Sequence, residues 1–446
     1  MRRADSCTGL SGSAANAVAL ALALLLSCTA WPAATPTPAE PRVPTISAAA
    51  FLDSLAVNTH INYRDGAYAN VRNVADDLAW LGVHHIREGT PDGSAPFESY
   101  VYLAQHGVRF DYVIRPNVAE SLQQLDAFNA AAPGSVAAVE GFNEIDNFPV
   151  QYDGLKGDAA GLGAQRTIYR HVKGDPALAG VAVYDLTGYD IKPVATRAEA
   201  ADHANAHMYP QNGEQPGYNA NGDHWLAWAT DGRKKFGLPI VITEFGYFSI
   251  PQAGWYMLGV DEPTQAKGVL NGYFDAAAAG VVRTYVYELL DEKPDPQSKN
   301  GEMHFGLFRN DNSPKPVATA IHNLTSILSA PLARARDSST RGMPAVTLAG
   351  LPVSGNSLLL QKADGRVVLA LWNEVPIWNR ATGTPVSHPP ARVEVDFGET
   401  ASEIALYDPT VSSEPLARRS NTRRFVVDVP DHPVLIEVTS AAAEHS

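Results

Sequence analysis

Along the chain, apolar runs of strand length alternate with stretches whose apolar residues recur every three or four positions. The first run is residues 54–58, Ser-Leu-Ala-Val-Asn. Apolar residues at 71, 74, 78 and 81 then mark one face of a helix, and Gly82 supplies its C-cap. Val83 to Arg87 reads as a second strand with Arg87 at its carboxyl end. The alternation continues with strands predicted over 108–114, 136–139, 181–184, 203–207, from Pro239 to Glu244, and 281–287. Helical spacing falls between them, over 97–105, 122–131, 159–172, 197–201, 224–236, 261–279 and 316–328. Asp261 reads as an N-cap, with Pro263 in the first turn of its helix. Repeated strand–helix units over 51–333 predict an α/β fold, a (β/α)8 TIM barrel. A dinucleotide-binding doubly wound sheet would carry a glycine-rich loop after the first strand, and none is visible.

From about Arg334 the texture changes to short β-type runs separated by Gly, Pro, Asp and Ser turns such as Ala363-Asp364-Gly365. Residues 334–446 are expected to form a β-sandwich accessory domain without chemistry of its own.

The 446-residue length suits one large domain and a smaller one. A net charge of -14 argues against a nucleic-acid partner. Both cysteines, Cys7 and Cys28, lie in the first 30 residues, so the remaining chain has no internal disulfide and no cysteine metal site. Arg2 and Arg3 precede an apolar core, Ala17 to Leu26, too short to span a bilayer. Residues 1–30 therefore read as a signal peptide with cleavage after Ala30. The rival is a lipid anchor at Cys28, since Leu25-Leu26-Ser27-Cys28 approximates a lipobox. The expected location is secreted or periplasmic, or else lipid-anchored at the cell envelope. Pro32, Pro36, Pro38, Pro41 and Pro44 make 31–50 an expected linker.

The candidate chemistry sits where two predicted strands end. The fourth runs into Gly141-Phe142-Asn143-Glu144, and the seventh ends in Glu244-Phe245-Gly246. Strand carboxyl ends share one rim of a barrel, so these two carboxylates are expected to converge. Paired carboxylates are what glycosidic-bond hydrolysis requires: one protonates the leaving oxygen and the other acts at the anomeric carbon. Glu140, inside its strand, reads as a barrel-facing salt-bridge partner. The scatter of His60, His84, His85 and Glu88 lacks a metal-ligand spacing such as His-Glu-x-x-His, so no metal and no cofactor is assigned. Trp255 and Tyr256 offer a stacking platform for a sugar ring, or a packed loop aromatic.

Asn143-Glu144 after strand four, His207-x-Tyr209 after strand six and Glu244 after strand seven resemble the large clan of retaining (β/α)8 glycosidases that includes families 5 and 39. The likeness to family 39 bacterial enzymes is the nearest. It implies Glu144 as acid/base, Glu244 as nucleophile and Asn143 as a ligand of the neighbouring sugar hydroxyl. It further implies that Tyr209 orients the nucleophile, His207 contacts the acid/base or the sugar, and Arg87 keeps Glu244 ionised. The alternative for Arg87 is a structural ion pair with Glu88 or another carboxylate. The chain departs from the common Asn-Glu-Pro motif with Ile145, and has Tyr285 or Tyr287 where many members carry a tryptophan. The negative charge of Glu244 is expected to raise the pKa of Glu144. A carbohydrate substrate follows from the resemblance. The competing functions are a transglycosylase using the same residues and a carbohydrate-binding scaffold on an inactive barrel.

Overall fold

The computed structural model describes residues 43–91, 93–188, 199–218, 224–252, 258–329 and 345–440. The leader, Cys28, Trp255 and Tyr256 lie outside the described residues, as do 197 and 198 of the predicted 197–201 helix, whose remaining residues form a turn rather than a helix. No helix among the described residues is long and apolar enough to cross a membrane.

Eight parallel strands form the barrel: β1 Leu55–Asn58, β2 His85–Gly89, β3 Arg109–Val113, β4 Val136–Glu140, β5 Ala182–Tyr184, β6 Ala204–Met208, β7 Ile240–Phe245 and β8 Thr284–Val286. Their order is β5-β4-β3-β2-β1-β8-β7-β6, and a parallel bridge between Tyr184 and His203 closes the ring. Helices α1 Val71–Leu81, α2 Phe97–Gln105, α3 Val118–Ala131, α4 Gly157–Gly174, α5 Trp225–Lys234, α6 Glu262–Ala278 and α7 Pro316–Leu328 surround it. Local signals set several helix ends. Gly82 closes α1 at φ 69°, a left-handed position that glycine adopts without strain. Asp261 caps α6 by accepting the Thr264 N–H at 2.9 Å.

Strand alternation divides the apolar residues. Ala56, Ala138, Tyr184, Val241 and Tyr285 fill the barrel interior, while Val57, Val139, Ile242 and Phe245 join the larger core with the helices. The alternation breaks in β7. Between Ile242 and Glu244 that strand advances two residues while β6 advances one, a β-bulge. Thr243 and Glu244 consequently both bond to groups inside the barrel. Phe245 resumes the outward direction, and its ring fills the place that a Cβ on Gly272 of α6 would occupy.

The C-terminal region is all-β, as expected, and six of its strands belong to one hydrogen-bonded sheet of seven. The long strand Ala391–Tyr407 shifts register between Asp396 and Ala401. Its first half pairs with Thr347–Ala349 and its second with Val434–Ser440. Val393, Val395, Leu369 and Ile436 share one apolar cluster, so the sheet folds over itself around its own core. The other face packs on the barrel: Trp372 meets Phe274 at 5.5 Å and donates its indole N–H to Asp275 at 2.9 Å.

The linker expected over 31–50 needs correction at its end. Thr45–Ser47 is a strand paired in parallel with Gly355–Gln361, and Ala48–Ser54 is a helix capped by Ser47. The segment ahead of the barrel is thus stitched into the C-terminal sheet. That partner lies some 300 residues away in sequence (Thr45 opposite Leu359), and no local pattern announces it.

Candidate active site

At the carboxyl rim of the barrel, Arg87 of β2 organises the site. Its Nε and Nη2 donate to the two oxygens of Glu140 at 2.9 and 2.8 Å, a bidentate pair. Nη1 donates to Glu244 Oε1 at 2.6 Å and to Asn58 at 3.1 Å, and Nη2 also reaches Asn143 Oδ1 at 2.6 Å. One guanidinium thereby fixes four side chains from β1, β4, β7 and the loop after β4. Burial opposes its charge, but Glu140 and Glu244 outweigh that and hold the Arg87 pKa well above its ordinary value. Glu140 is fully buried, in keeping with the barrel-facing partner read from its place in the strand. Glu88 serves a different purpose. It accepts from the Thr59 hydroxyl at 2.8 Å and the Ile61 N–H at 2.9 Å, and so fixes the loop after β1.

Glu144 has left the strand. Its backbone takes φ 39°, a left-handed conformation uncommon for a side chain of this size. Thr187, just past β5, holds it there: the Glu144 N–H donates to Thr187 Oγ1 at 3.0 Å and the Ile145 N–H to the Thr187 carbonyl at 3.0 Å. The second bond gives the Ile145 departure a physical reason, because a proline has no N–H to donate. Gly141 makes the approach possible, since a Cβ there would meet Gln165 Oε1 at 1.9 Å.

The two carboxylates face each other across His207, which lies within β6. His207 Nδ1 lies 2.8 Å from Glu144 Oε1 and 3.4 Å from Glu244 Oε2, and one oxygen of each carboxylate lies within 4.8 Å of the other. Tyr209 donates its hydroxyl to Glu244 Oε2 at 2.7 Å, and the Asn147 amide donates to Glu144 Oε2 at 3.0 Å. Burial and the Glu244 charge drive the Tyr209 pKa well above 10, so the phenol remains a donor.

The expected rise in the Glu144 pKa is reversed. Burial pushes it up, but the hydrogen bond and charge of His207, then the Asn147 amide, bring it down to about 2. The contact of His207 with the acid/base, implied by the resemblance, is thus what sets the direction of the shift.

A cavity of about 1410 Å³ opens over this site. Tyr287 lines it and donates to Glu302 at 2.7 Å, whereas Tyr285 is buried inside the barrel. Aromatics absent from the sequence reading also line it, among them Phe148, Trp225 and Trp228. Phe148 is 61% exposed and Trp228 50%, and the Trp225 indole donates to Glu214 at 2.9 Å. The i, i+3 spacing of the two tryptophans on the amphipathic α5 was the available signal. Two clusters place potential metal ligands within 4.8 Å of one another: Glu144, His207 and Glu244, and beside them His60, Glu288 and Glu292. The first is already neutralised in part by Arg87.

No family model matches the chain, and no curated protein matches it. Solved structures do. A family 39 glycoside hydrolase from the gut symbiont Bacteroides cellulosilyticus WH2 superposes with a TM-score of 0.59 at 15% identity, covering 89% of this chain and 83% of that one. A GH39 enzyme from Xanthomonas axonopodis pv. citri gives 0.53 at 15% identity, over 91% of this chain and 100% of that one. At this identity the likeness establishes the shared fold, a TIM barrel followed by a β domain.

Proposed function

We propose that the protein is a retaining glycoside hydrolase that cleaves β-glycosidic bonds in an oligo- or polysaccharide. The observation that carries this is the pair Glu144 and Glu244, with oxygens within 4.8 Å, each held by its own set of polar partners beneath an open cavity. That separation suits direct attack by one carboxylate and leaves little room for the water that an inverting site places between them. The names of the two solved structures, both family 39 enzymes, agree with it.

Glu244 takes the nucleophile's part. Arg87 and the Tyr209 hydroxyl engage its two oxygens. Its carboxylate attacks the anomeric carbon as the glycosidic C–O bond breaks. Glu144 gives a proton to the departing oxygen. Water then attacks the glycosyl–enzyme ester, Glu144 takes the water's proton, and Glu244 is released. In the resting site Glu144 is ionised, so the proton it donates must arrive with the substrate. His207 Nδ1 lies 2.8 Å from the oxygen that must receive it. Displacement of His207 by a sugar would remove the influence that lowers Glu144 and leave burial to raise it. Asn143, held by Arg87, is placed to meet the hydroxyl next to the anomeric centre. Phe148 and Trp228 would stack against further sugar rings.

The basic-then-apolar leader supports export to a secreted or periplasmic location. The mass of the mature amino terminus decides between cleavage after Ala30 and lipidation at Cys28.

Activity on a panel of aryl β-glycosides and polysaccharides tests the reading, beside Glu144→Gln and Glu244→Gln. Both variants should lose turnover, and azide should restore it in Glu244→Ala on an activated substrate. Full activity in both Gln variants would overturn the assignment.

A further inference from the structure

Next to the catalytic rim lies a group that the proposed reaction does not use. His60 follows β1, and Glu288 and Glu292 follow β8, strands that are neighbours in the sheet. One ligand atom from each lies within 4.8 Å of the other two. Glu288 is fully buried. Its Oε2 accepts the Tyr68 hydroxyl at 2.7 Å, while its Oε1 is buried without a hydrogen-bond partner among the described residues. His60 Nε2 is likewise buried without a partner, facing Glu288 Oε2 at 3.7 Å, too far for a hydrogen bond. Glu292 is only 5% exposed. A folded chain seldom leaves a buried carboxylate oxygen and a buried imidazole nitrogen both unanswered.

The neighbouring cations are engaged elsewhere. Lys293 pairs with Asp65 at 2.7 Å, and Lys315 with Asp291 at 2.7 Å. Glu302, the other carboxylate on this side, holds Tyr287 and adds negative charge. The corner thus brings two carboxyl groups and an imidazole together with no cation bound to them among the described residues. A neutral imidazole and two carboxylates are the forms that coordinate a metal ion.

We propose that His60, Glu288 and Glu292 bind a divalent cation of the zinc or manganese kind. An imidazole nitrogen with two carboxylate oxygens suits such borderline ions, whereas calcium takes six to eight oxygens. A separation of 3.7 Å between two ligand atoms is what bonds of about 2.1 Å at an open tetrahedral angle require. The supports around the ligands are in place. Tyr68 fixes Glu288, and Glu88, by holding the Ile61 N–H, fixes the loop that carries His60. The His60 ring also stacks on Tyr63 at 4.6 Å and meets the cavity residue Tyr287 edge-on at 5.5 Å. A bound ion would therefore stiffen one wall of the cavity without touching the two carboxylates of the reaction.

The test does not depend on any activity. The full chain, stripped with EDTA, is dialysed against ZnCl2, MnCl2 or CaCl2, and retained metal is counted by inductively coupled plasma mass spectrometry. One equivalent of zinc or manganese per chain is expected, with a melting temperature raised by several degrees. Glu292→Gln should abolish retention, while His207→Ala, which breaks the other cluster, should keep it. His60→Asn decides the matter should Glu292→Gln not fold. No retained metal, retention of calcium alone, or loss that follows His207 instead of Glu292 would each overturn the proposal.

Discussion

Two acidic clusters share the carboxyl rim of this barrel, and they are built on opposite plans. Around Glu144 and Glu244 every carboxylate oxygen has a donor: Arg87, Tyr209, His207 or Asn147. Around Glu288 and Glu292, among the described residues, the only hydrogen-bond donor to a Glu288 side-chain oxygen is the neutral phenol of Tyr68, and Oε1 has none. The consequence is seen in their proton affinities. Glu144 falls to about 2 under the influence of His207 in spite of burial, while burial and the Glu302 charge lift Glu292 to about 7. Similar burial thus yields opposite charge states, and the partner decides which. A site meant to carry negative charge through a reaction surrounds it with donors; one left without donors is suited to receiving a cation.

Removing the nucleophile should break this contrast most severely. Glu244→Ala is expected to lower turnover by roughly four orders of magnitude or more. Glu144→Gln should cost on the order of 10²–10⁴, with the smallest loss on substrates whose leaving group needs no proton. Steady-state rates on aryl glycosides with good and poor leaving groups measure both.

Arg87→Met comes next. It strands Glu140 and Glu244 without their shared cation, and a broken buried pair costs about 3–5 kcal/mol. Urea denaturation should register that loss; a change within about 0.5 kcal/mol would mean that the guanidinium is not what binds the rim together.

Ile145→Pro should cost about 1–3 kcal/mol. It deletes the N–H donated to Thr187 and places Glu144, at φ 39°, before a proline. A variant as stable and active as the parent would show that the loop is held by other means.

The smallest effect sharpens the second cluster. A carboxyl whose pKa is raised by folding stabilises the protein while protonated, and that contribution disappears as pH climbs past its folded value, here about 7. In EDTA, Glu292→Gln should therefore melt higher than the parent at pH 8, by a few degrees, and the gap should close at pH 5. The same gap at both pH values would contradict the assigned titration.

Much of this architecture is legible in the chain itself. Each predicted barrel strand overlaps an observed one, because strands buried on both faces stand out as short apolar runs between helical periods. Asn143, Glu144, His207, Tyr209, Arg87 and Glu244 converge because strand ends share a rim. What was not legible depended on distance or on detail. The Thr45–Ser47 strand finds its partner only after the whole barrel has folded. The bulge that turns Thr243 and Glu244 inward together is a register effect without a composition of its own. The depressed pKa of Glu144 rests on where one imidazole points. His60 and Glu288 are 228 positions apart, so a search for ligand spacing along the chain passes over them.

The central claim is that Glu144 and Glu244 act by double displacement. Proton NMR of the first product released from whichever β-glycoside the protein cleaves tests it most directly. The account predicts that the new hemiacetal appears initially as the β-anomer, before mutarotation. Initial appearance of the α-anomer would mean that water attacks directly, and would contradict the role given to Glu244.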